Sequence, residues 1–432
     1  MILSFRTLCC TFLVCFLIGC SKDKDTTKPT VEIHSPQNGL IINGIDTIQV
    51  LATIFDDITI KSVSVSLIND NDIPVLNSIS KKPDTKNYDL NVSYFFNDNQ
   101  LPSGQYHLRV KADDGENVHA EYIVVNYNEP AREREGVFVV SNSASWSHFY
   151  LLDGGYSASL FKSIAGDYLN AEVNSATQQI VYASSKTGAV SATDIITLGS
   201  DWSIPISNSS SVPYYTGSYY HNNNLYLGRR DGFIEAFNQY GSPKFSSVGH
   251  SGFYAESMLI DDEFLITEEQ SVVLNDVRLL YYPLGSGIIY KTTDVNTKDI
   301  KGIYKKDFQT IILLANNFTN TGEILWYDIV SGGITDPYNV NIGKIEASME
   351  LSAGVYLVAE SGNLTILNTN SFSKTAYING IGATNFWYDA FANELFVGSG
   401  NVLSVYDFSS KLLKGTYTHG SQVKDVTFWY NR

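Results

Sequence analysis

The chain has 432 residues, 45 acidic against 29 basic, and a formal net charge of −16. That balance argues against nucleic-acid binding, which needs clustered Lys and Arg on phosphates, and against charge-driven attachment to an anionic membrane. All four cysteines lie at positions 9, 10, 15 and 20, which leaves the rest of the chain without a disulfide framework, a thiol nucleophile or a thiolate metal site.

The first thirty residues read as an export and anchoring segment. Arg6 supplies a short positive start, and the apolar run from Leu8 to Ile18 is too short to span a bilayer as a helix. The run ends in Leu17-Ile18-Gly19-Cys20 and turns polar at once with Ser21-Lys22-Asp23-Lys24-Asp25. This resembles the lipobox of bacterial lipoproteins, which implies cleavage after residue 19 and acylation of Cys20. Each acyl CH₂ then contributes about 0.8 kcal/mol to anchoring. Residues 20–30 read as a flexible tether. Its Lys/Asp-rich start resembles sequences that send lipoproteins of the Bacteroidetes group to the cell surface. The location implied is the outer membrane, lipid-anchored and surface-exposed, with the periplasmic face as the alternative. Removal of residues 1–19 takes away Arg6 and no acid, so the mature charge is −17.

Residues 31–129 predict a β-sandwich. Val31–His34, Thr47–Thr53, Ser62–Leu67, Asn91–Tyr94, Tyr106–Lys111 and Glu121–Asn126 alternate or run β-branched. Turn compositions separate them at Pro36-Gln37-Asn38-Gly39, Asp56-Asp57 and Asp113-Asp114-Gly115-Glu116-Asn117. The stretches Val50-Leu51-Ala52-Thr53-Ile54-Phe55-Asp56-Asp57 and Gly104–Asp114 resemble bacterial immunoglobulin-like modules, which implies a spacer or docking role. Asp56, Asp57, Asp113 and Asp114 are calcium candidates, because oxygen ligands on loops at one end of a sandwich suit that ion. Residues 130–135, opened by Pro130 and rich in charge, form the linker.

From 136 to 432 one unit recurs. Its copies begin at Val137, Ile180, Leu225, Phe264, Ile311, Val355 and Leu395, at spacings of 43, 45, 39, 47, 44 and 40 residues. Seven copies near that period predict a seven-bladed β-propeller of four-stranded blades. Gly-containing hairpins follow, as in Gly228-Arg229-Arg230-Asp231-Gly232-Phe233 and Gly398-Ser399-Gly400-Asn401. These copies resemble YVTN and quinoprotein-like propeller repeats, which implies the fold and leaves the activity open. The C-terminal Val426-Thr427-Phe428-Trp429-Tyr430-Asn431 nearly repeats Asn385-Phe386-Trp387-Tyr388-Asp389, while Val137–Val140 lacks an inner strand before it. The last strand is therefore expected to complete the first blade and remove its free edge. The fold class is all-β, an N-terminal immunoglobulin-like β-sandwich followed by a seven-bladed propeller.

Propeller loops present the candidate binding residues Trp146, Tyr214, Tyr215, Arg229, Phe253 and Tyr254, read as lying on loops between strands. His221, His250 and His419, with His148, come from different blades and are the candidate catalytic groups if they converge on one mouth. No paired-histidine metal motif, nucleophile elbow, phosphate loop or dinucleotide fingerprint occurs. The reading is a non-catalytic binding or assembly module for an extracellular or periplasmic protein or glycan, touching the membrane only through its lipid and using no cofactor. The alternative is a carbohydrate-active, lyase-like enzyme with a metal- or histidine-dependent site in the channel mouth.

Overall fold

The computed structural model describes residues 25–432 except 144, 207–210, 262, 275, 296–298 and 338–340. The export segment and Cys20 lie outside the described residues. Every regular element among those described is a β-strand. The chain divides into two compact units, with the division between Arg132 and Glu133.

The first unit holds β1 (Thr30–Ser35), β2 (Leu40–Asn43), β3 (Asp46–Ile60), β4 (Ser62–Ile68), β5 (Ile79–Lys81), β6 (Thr85–Phe96), β7 (Gly104–Asp113) and β8 (Val118–Asn128). They form two sheets, β1-β3-β6 and β2-β8-β7-β4-β5. All pairings are antiparallel except β2 with β8. Alternation builds the core: Ile48, Val50, Ala52 and Ile54 of β3 point inward, toward Val63, Val65 and Leu67 of β4 and Leu108 and Val110 of β7. Asp56 takes the next inward position and is buried with them. Residues 56–57, read from sequence as a turn, therefore lie inside β3. The strand bulges there, its register against β6 jumping between Phe55 and Ile60. Strands β2 and β5 carry too few alternating residues to stand out in sequence.

The second unit is a series of four-stranded antiparallel sheets that resemble propeller blades. The first contains β9 (Arg134–Asn142), β10 (Trp146–Leu152) and β11 (Ala158–Ala165). The second contains β12 (Asn170–Asn174), β13 (Gln179–Ala183), β14 (Ala189–Asp194) and β15 (Ser200–Pro205). The third contains β16 (Tyr215–His221), β17 (Asn224–Arg229), β18 (Ile234–Asn238) and β19 (Pro243–Ser246). The fourth contains β20 (Phe253–Asp261), β21 (Phe264–Ser271), β22 (Val277–Pro283) and β23 (Lys291–Val295). The fifth runs β24 (Asp299–Lys305), β25 (Thr310–Asn316), β26 (Gly322–Asp328) and β27 (Ile334–Thr335). The sixth runs β28 (Ile345–Ser352), β29 (Val355–Glu360), β30 (Gly362–Asn368) and β31 (Ser373–Ala383). The seventh runs β32 (Asn385–Asp389), β33 (Glu394–Ser399), β34 (Val402–Asp407) and β35 (Leu413–Thr418). The last strand, β36 (Val423–Tyr430), joins the first sheet beside β9, with Val426 opposite Val139 and Thr427 opposite Phe138.

The second strand of each sheet carries a continuous apolar run for a physical reason. In β25, Ile311, Leu313 and Ala315 pack with Leu279, Tyr281 and Tyr327 on one side. Ile312 and Leu314 pack with Tyr356 and Val358 on the other. A strand sandwiched between sheets has no solvent face, so alternation disappears and a continuous run remains. Each Leu or Ile buried this way contributes about 1.5–3 kcal/mol. First strands touch in sequence: β16 on β20, β20 on β24, β24 on β28 and β28 on β32, while β36 lies against both β12 and β32.

Candidate functional site

The third and fourth sheets bring a group of rings and guanidiniums together at one end. β17 ends at Arg229, and the chain turns over 230–233 into β18. Gly232 makes the turn feasible. Its φ is +90°, and a Cβ there would lie 2.2 Å from the His250 carbonyl oxygen. The His250 amide donates to the Gly232 carbonyl at 3.2 Å, and the Val272 amide donates to the Gly252 carbonyl at 2.9 Å, which ties three loops into one face.

On this face Arg229 lies 5.2 Å from the Tyr214 ring centre and 5.1 Å from that of Phe233. Arg230 sits 4.2 Å above the Tyr254 ring and Arg278 is seated over Phe253. Arg229 pairs with Asp231 through Nε at 3.1 Å and through Nη2, and reaches Glu235 at 3.5 Å. Burial works against the Arg229 charge, but these carboxylates outweigh it and hold its pKa above the ordinary value. The Tyr215 hydroxyl, raised by burial and by Glu235, donates to that carboxylate. Beyond the rings, the loop after β21 carries Val273 at 85% and Leu274 at 62% exposure, and Phe233 is 39% exposed.

Five of the sequence-derived binding residues, Tyr214, Tyr215, Arg229, Phe253 and Tyr254, thus belong to this face. Tyr215, Phe253 and Tyr254 are strand residues at the starts of β16 and β20 rather than loop residues. Trp146 opens β10 in the first sheet, exposed and in none of these contacts. Arg278 and the apolar tip Val272–Leu274 were not singled out from sequence. The tip's signal is an apolar triplet directly before Asn275-Asp276 in the sequence.

His221, His250 and His419 occupy separate surroundings, while His148 lies near His419, with the Tyr150 ring against both. His250 accepts a hydrogen bond from Arg278 at Nδ1 and lies 3.5 Å from buried Glu269. Burial and then the Arg278 charge lower its pKa, so it is neutral. His419 is 7% exposed, with Tyr417 Oη at 2.7 Å from Nδ1 and Ser141 Oγ at 2.9 Å from Nε2, and its pKa is lowered by burial and by His148. His221 ends β16 and stacks on Tyr219.

A second group lies on the first strands. Glu172 of β12 and Asp425 of β36 lie half-buried together, and Tyr168 donates to Asp425 Oδ2. Burial, then the Asp425 charge, pushes Glu172 up to about 8, and burial pushes Asp425 up to about 6. Glu268 of β21, also buried, is raised to about 7, and its Oε2 has no hydrogen-bond partner. Shifts of this size bring proton exchange at these carboxyls toward neutral pH.

In the first unit, Asp56 and Asp114 come together with Asp25, a carboxylate oxygen from each lying within 4.8 Å of the others. Asp57 and Asp113 are not part of that cluster.

The family profile described as Bacterial Ig domain matches residues 29–110. The N-terminal unit is accordingly an immunoglobulin-like module, and the protein is an all-β chain in which that module precedes repeated blade-like sheets. Among curated proteins none is significantly similar in sequence. Among solved structures, a quinoprotein alcohol dehydrogenase-like protein from Bacteroides thetaiotaomicron is 11% identical with a TM-score of 0.46, covering 93% of this chain and 99% of that one. A dihydro-heme d1 dehydrogenase is 13% identical with a TM-score of 0.47, covering 74% and 72%. A computationally designed protein, Ika8, is 15% identical with a TM-score of 0.46, covering 69% and 97%.

Proposed function

We propose that this chain is a lipid-anchored protein of the bacterial outer membrane that binds a protein partner, without catalysis, through the face built on the third and fourth sheets. The sheets are read as one closed seven-bladed propeller. The pairing of β36 with β9 and its packing on β12 and β32 support that closure. The segment Leu17–Cys20 supports the anchor, and the immunoglobulin-like module serves as spacer.

The observation that carries the reading is the exposed apolar tip at Val273 and Leu274, tied through the Val272–Gly252 hydrogen bond to the strand on which Arg278 covers Phe253. Contiguous exposed apolar surface rimmed by polar groups marks interaction sites, and Arg and aromatic residues are enriched at protein interfaces. A protein is favoured over a glycan because guanidiniums already cover faces of Tyr214, Phe233, Phe253 and Tyr254 on which a sugar ring would stack. The test compares envelope proteins captured by the wild-type chain and by Val273→Asp/Leu274→Asp, beside a glycan array. A partner retained by the wild type and lost by the variant supports the reading. Identical capture by both, or a glycan bound in place of any protein, refutes it.

The second reading, a carbohydrate-active enzyme, is favoured by Glu172, Asp425 and Tyr168. Two carboxyls with unequally raised pKa values form an acid–base pair at near-neutral pH. Polysaccharide turnover abolished by Glu172→Gln is its expected signature.

A further inference from the structure

We propose that the cluster of Asp25, Asp56 and Asp114 in the immunoglobulin-like unit is a calcium site that fastens the C-terminal part of the tether segment to the sandwich. Asp56 is 1% exposed at the end of the inward register of β3. Its Oδ1 accepts the amides of Ile58 at 2.8 Å and Thr59 at 2.7 Å, while its Oδ2 is buried with no hydrogen-bond partner. An ionised carboxylate oxygen left so in an apolar interior is costly, and a bound cation removes that cost.

The other two ligands converge on it from different parts of the unit. Asp114 opens the turn between β7 and β8, and its Oδ1 accepts the amides of Glu116 and Asn117, both at 2.6 Å. Asp25 is held by its own amide, which donates to Glu116 Oε2 at 2.8 Å. The Asn117 side-chain Nδ2 donates to the Asp25 and Thr27 carbonyls at 3.1 and 3.0 Å and to Asp114 Oδ2 at 3.2 Å. Carboxylate oxygens within 4.8 Å of one another fit opposite and adjacent positions around an ion bound at about 2.3–2.6 Å. Among the described residues, no Lys, Arg or His forms an ion pair with any of the three. An all-oxygen set with flexible geometry selects calcium over magnesium, which demands a tighter octahedron. Once bound, the ion cross-links the N-terminal segment, the β3 bulge and the β7–β8 turn.

The experiment uses the full chain, stripped with EDTA and titrated with calcium chloride by calorimetry, with amide hydrogen exchange read in parallel. One calcium per chain is expected, with a Kd of about 10⁻⁴–10⁻³ M as in extracellular modules. Exchange across 25–30 and 114–117 is expected to slow by roughly tenfold or more. Asp56→Asn and Asp25→Asn each weaken binding by roughly tenfold or more, while Asp57→Asn binds as the wild type. Asp25→Asn lies outside the sandwich strands, so its effect is readable even if Asp56→Asn fails to fold. The absence of calcium binding at millimolar concentration, or full affinity in Asp25→Asn, overturns the proposal.

Discussion

Replacing Asp389 by Ala tests how the second unit is held at its ends. The Asp389 side chain is fully buried in β32. Its Oδ1 accepts the amides of Phe391 and Ala392, both at 3.0 Å, and the Tyr430 hydroxyl of β36. Its Oδ2 accepts Arg134 Nη1 of β9 at 2.8 Å, and Arg134 Nη2 reaches Glu394 at 2.7 Å. One carboxylate therefore joins the seventh sheet to both the first and the last strands of the unit. Removing one member of a buried ion pair costs about 3–5 kcal/mol. Glu394 still neutralises Arg134 in the variant, so the low end applies, about 3 kcal/mol. At about 2–4 °C per kcal/mol, the melting transition falls by about 6–12 °C. Burial raises the Asp389 pKa, but the hydrogen bonds from Tyr430, Ala392 and Arg134 outweigh it, and the net value is lowered. A lowered folded pKa stabilises above the unfolded value, about 3.9, and the contribution is lost as pH falls through the folded one. The gap between wild type and Asp389→Ala, followed by scanning calorimetry, is expected to be flat at neutral pH and to close in acid. A variant that melts with the wild type at pH 7, or a gap that persists in acid, refutes the argument.

Three further outcomes are expected. Cys20→Ser abolishes metabolic palmitate labelling and leaves a precursor or soluble species; unchanged labelling contradicts the anchor. Deletion of Val423–Arg432 bares the β9 edge, and size-exclusion chromatography with limited proteolysis is expected to show association and faster cleavage; a monomer with unchanged resistance rules out the closing role of β36. Glu172, raised to about 8 mainly by burial and next by Asp425, keeps a proton in the fold that the unfolded chain releases near its ordinary value of 4.5. Stability therefore falls as pH rises from about 4.5 to 8, by at most about 1.4 kcal/mol per unit. Glu172→Gln flattens that fall in urea titrations across the range, and a slope shared with the wild type contradicts it.

Much of the architecture was legible because burial leaves plain patterns. The apolar tetrads at Val137, Ile180, Leu225, Phe264, Ile311, Val355 and Leu395 fall in β9, β13, β17, β21, β25, β29 and β33, the strands that neighbouring sheets cover on both faces. The similarity of residues 426–431 to 385–389 pointed to a first strand without a sheet of its own, and β36 pairs with β9. Strand boundaries were less legible where polar residues face inward. Glu268 and Glu269 break the apolar run, yet both are buried in β21, where Glu269 accepts from Arg278 at 2.9 Å and Tyr282 at 2.9 Å. Asp56 was misread for the same reason. The candidate sites depended on contacts between distant segments. Arg229 and Tyr254 were visible as residue types, but not that Arg230 and Arg278 cover the rings. Asp25 lies 31 positions before Asp56 and carries no local mark of its partnership.

The central claim, protein binding through the face at Phe233, Val273 and Leu274, is tested most directly by photo-crosslinking. A photoreactive residue placed at Phe233 in the full-length chain, expressed in its native cells, is expected to give one covalent adduct with a single protein. That adduct is expected to disappear with Val273→Asp/Leu274→Asp and to persist with Glu172→Gln. The absence of any adduct at Phe233, or one indifferent to the Val273 and Leu274 changes, would contradict the account.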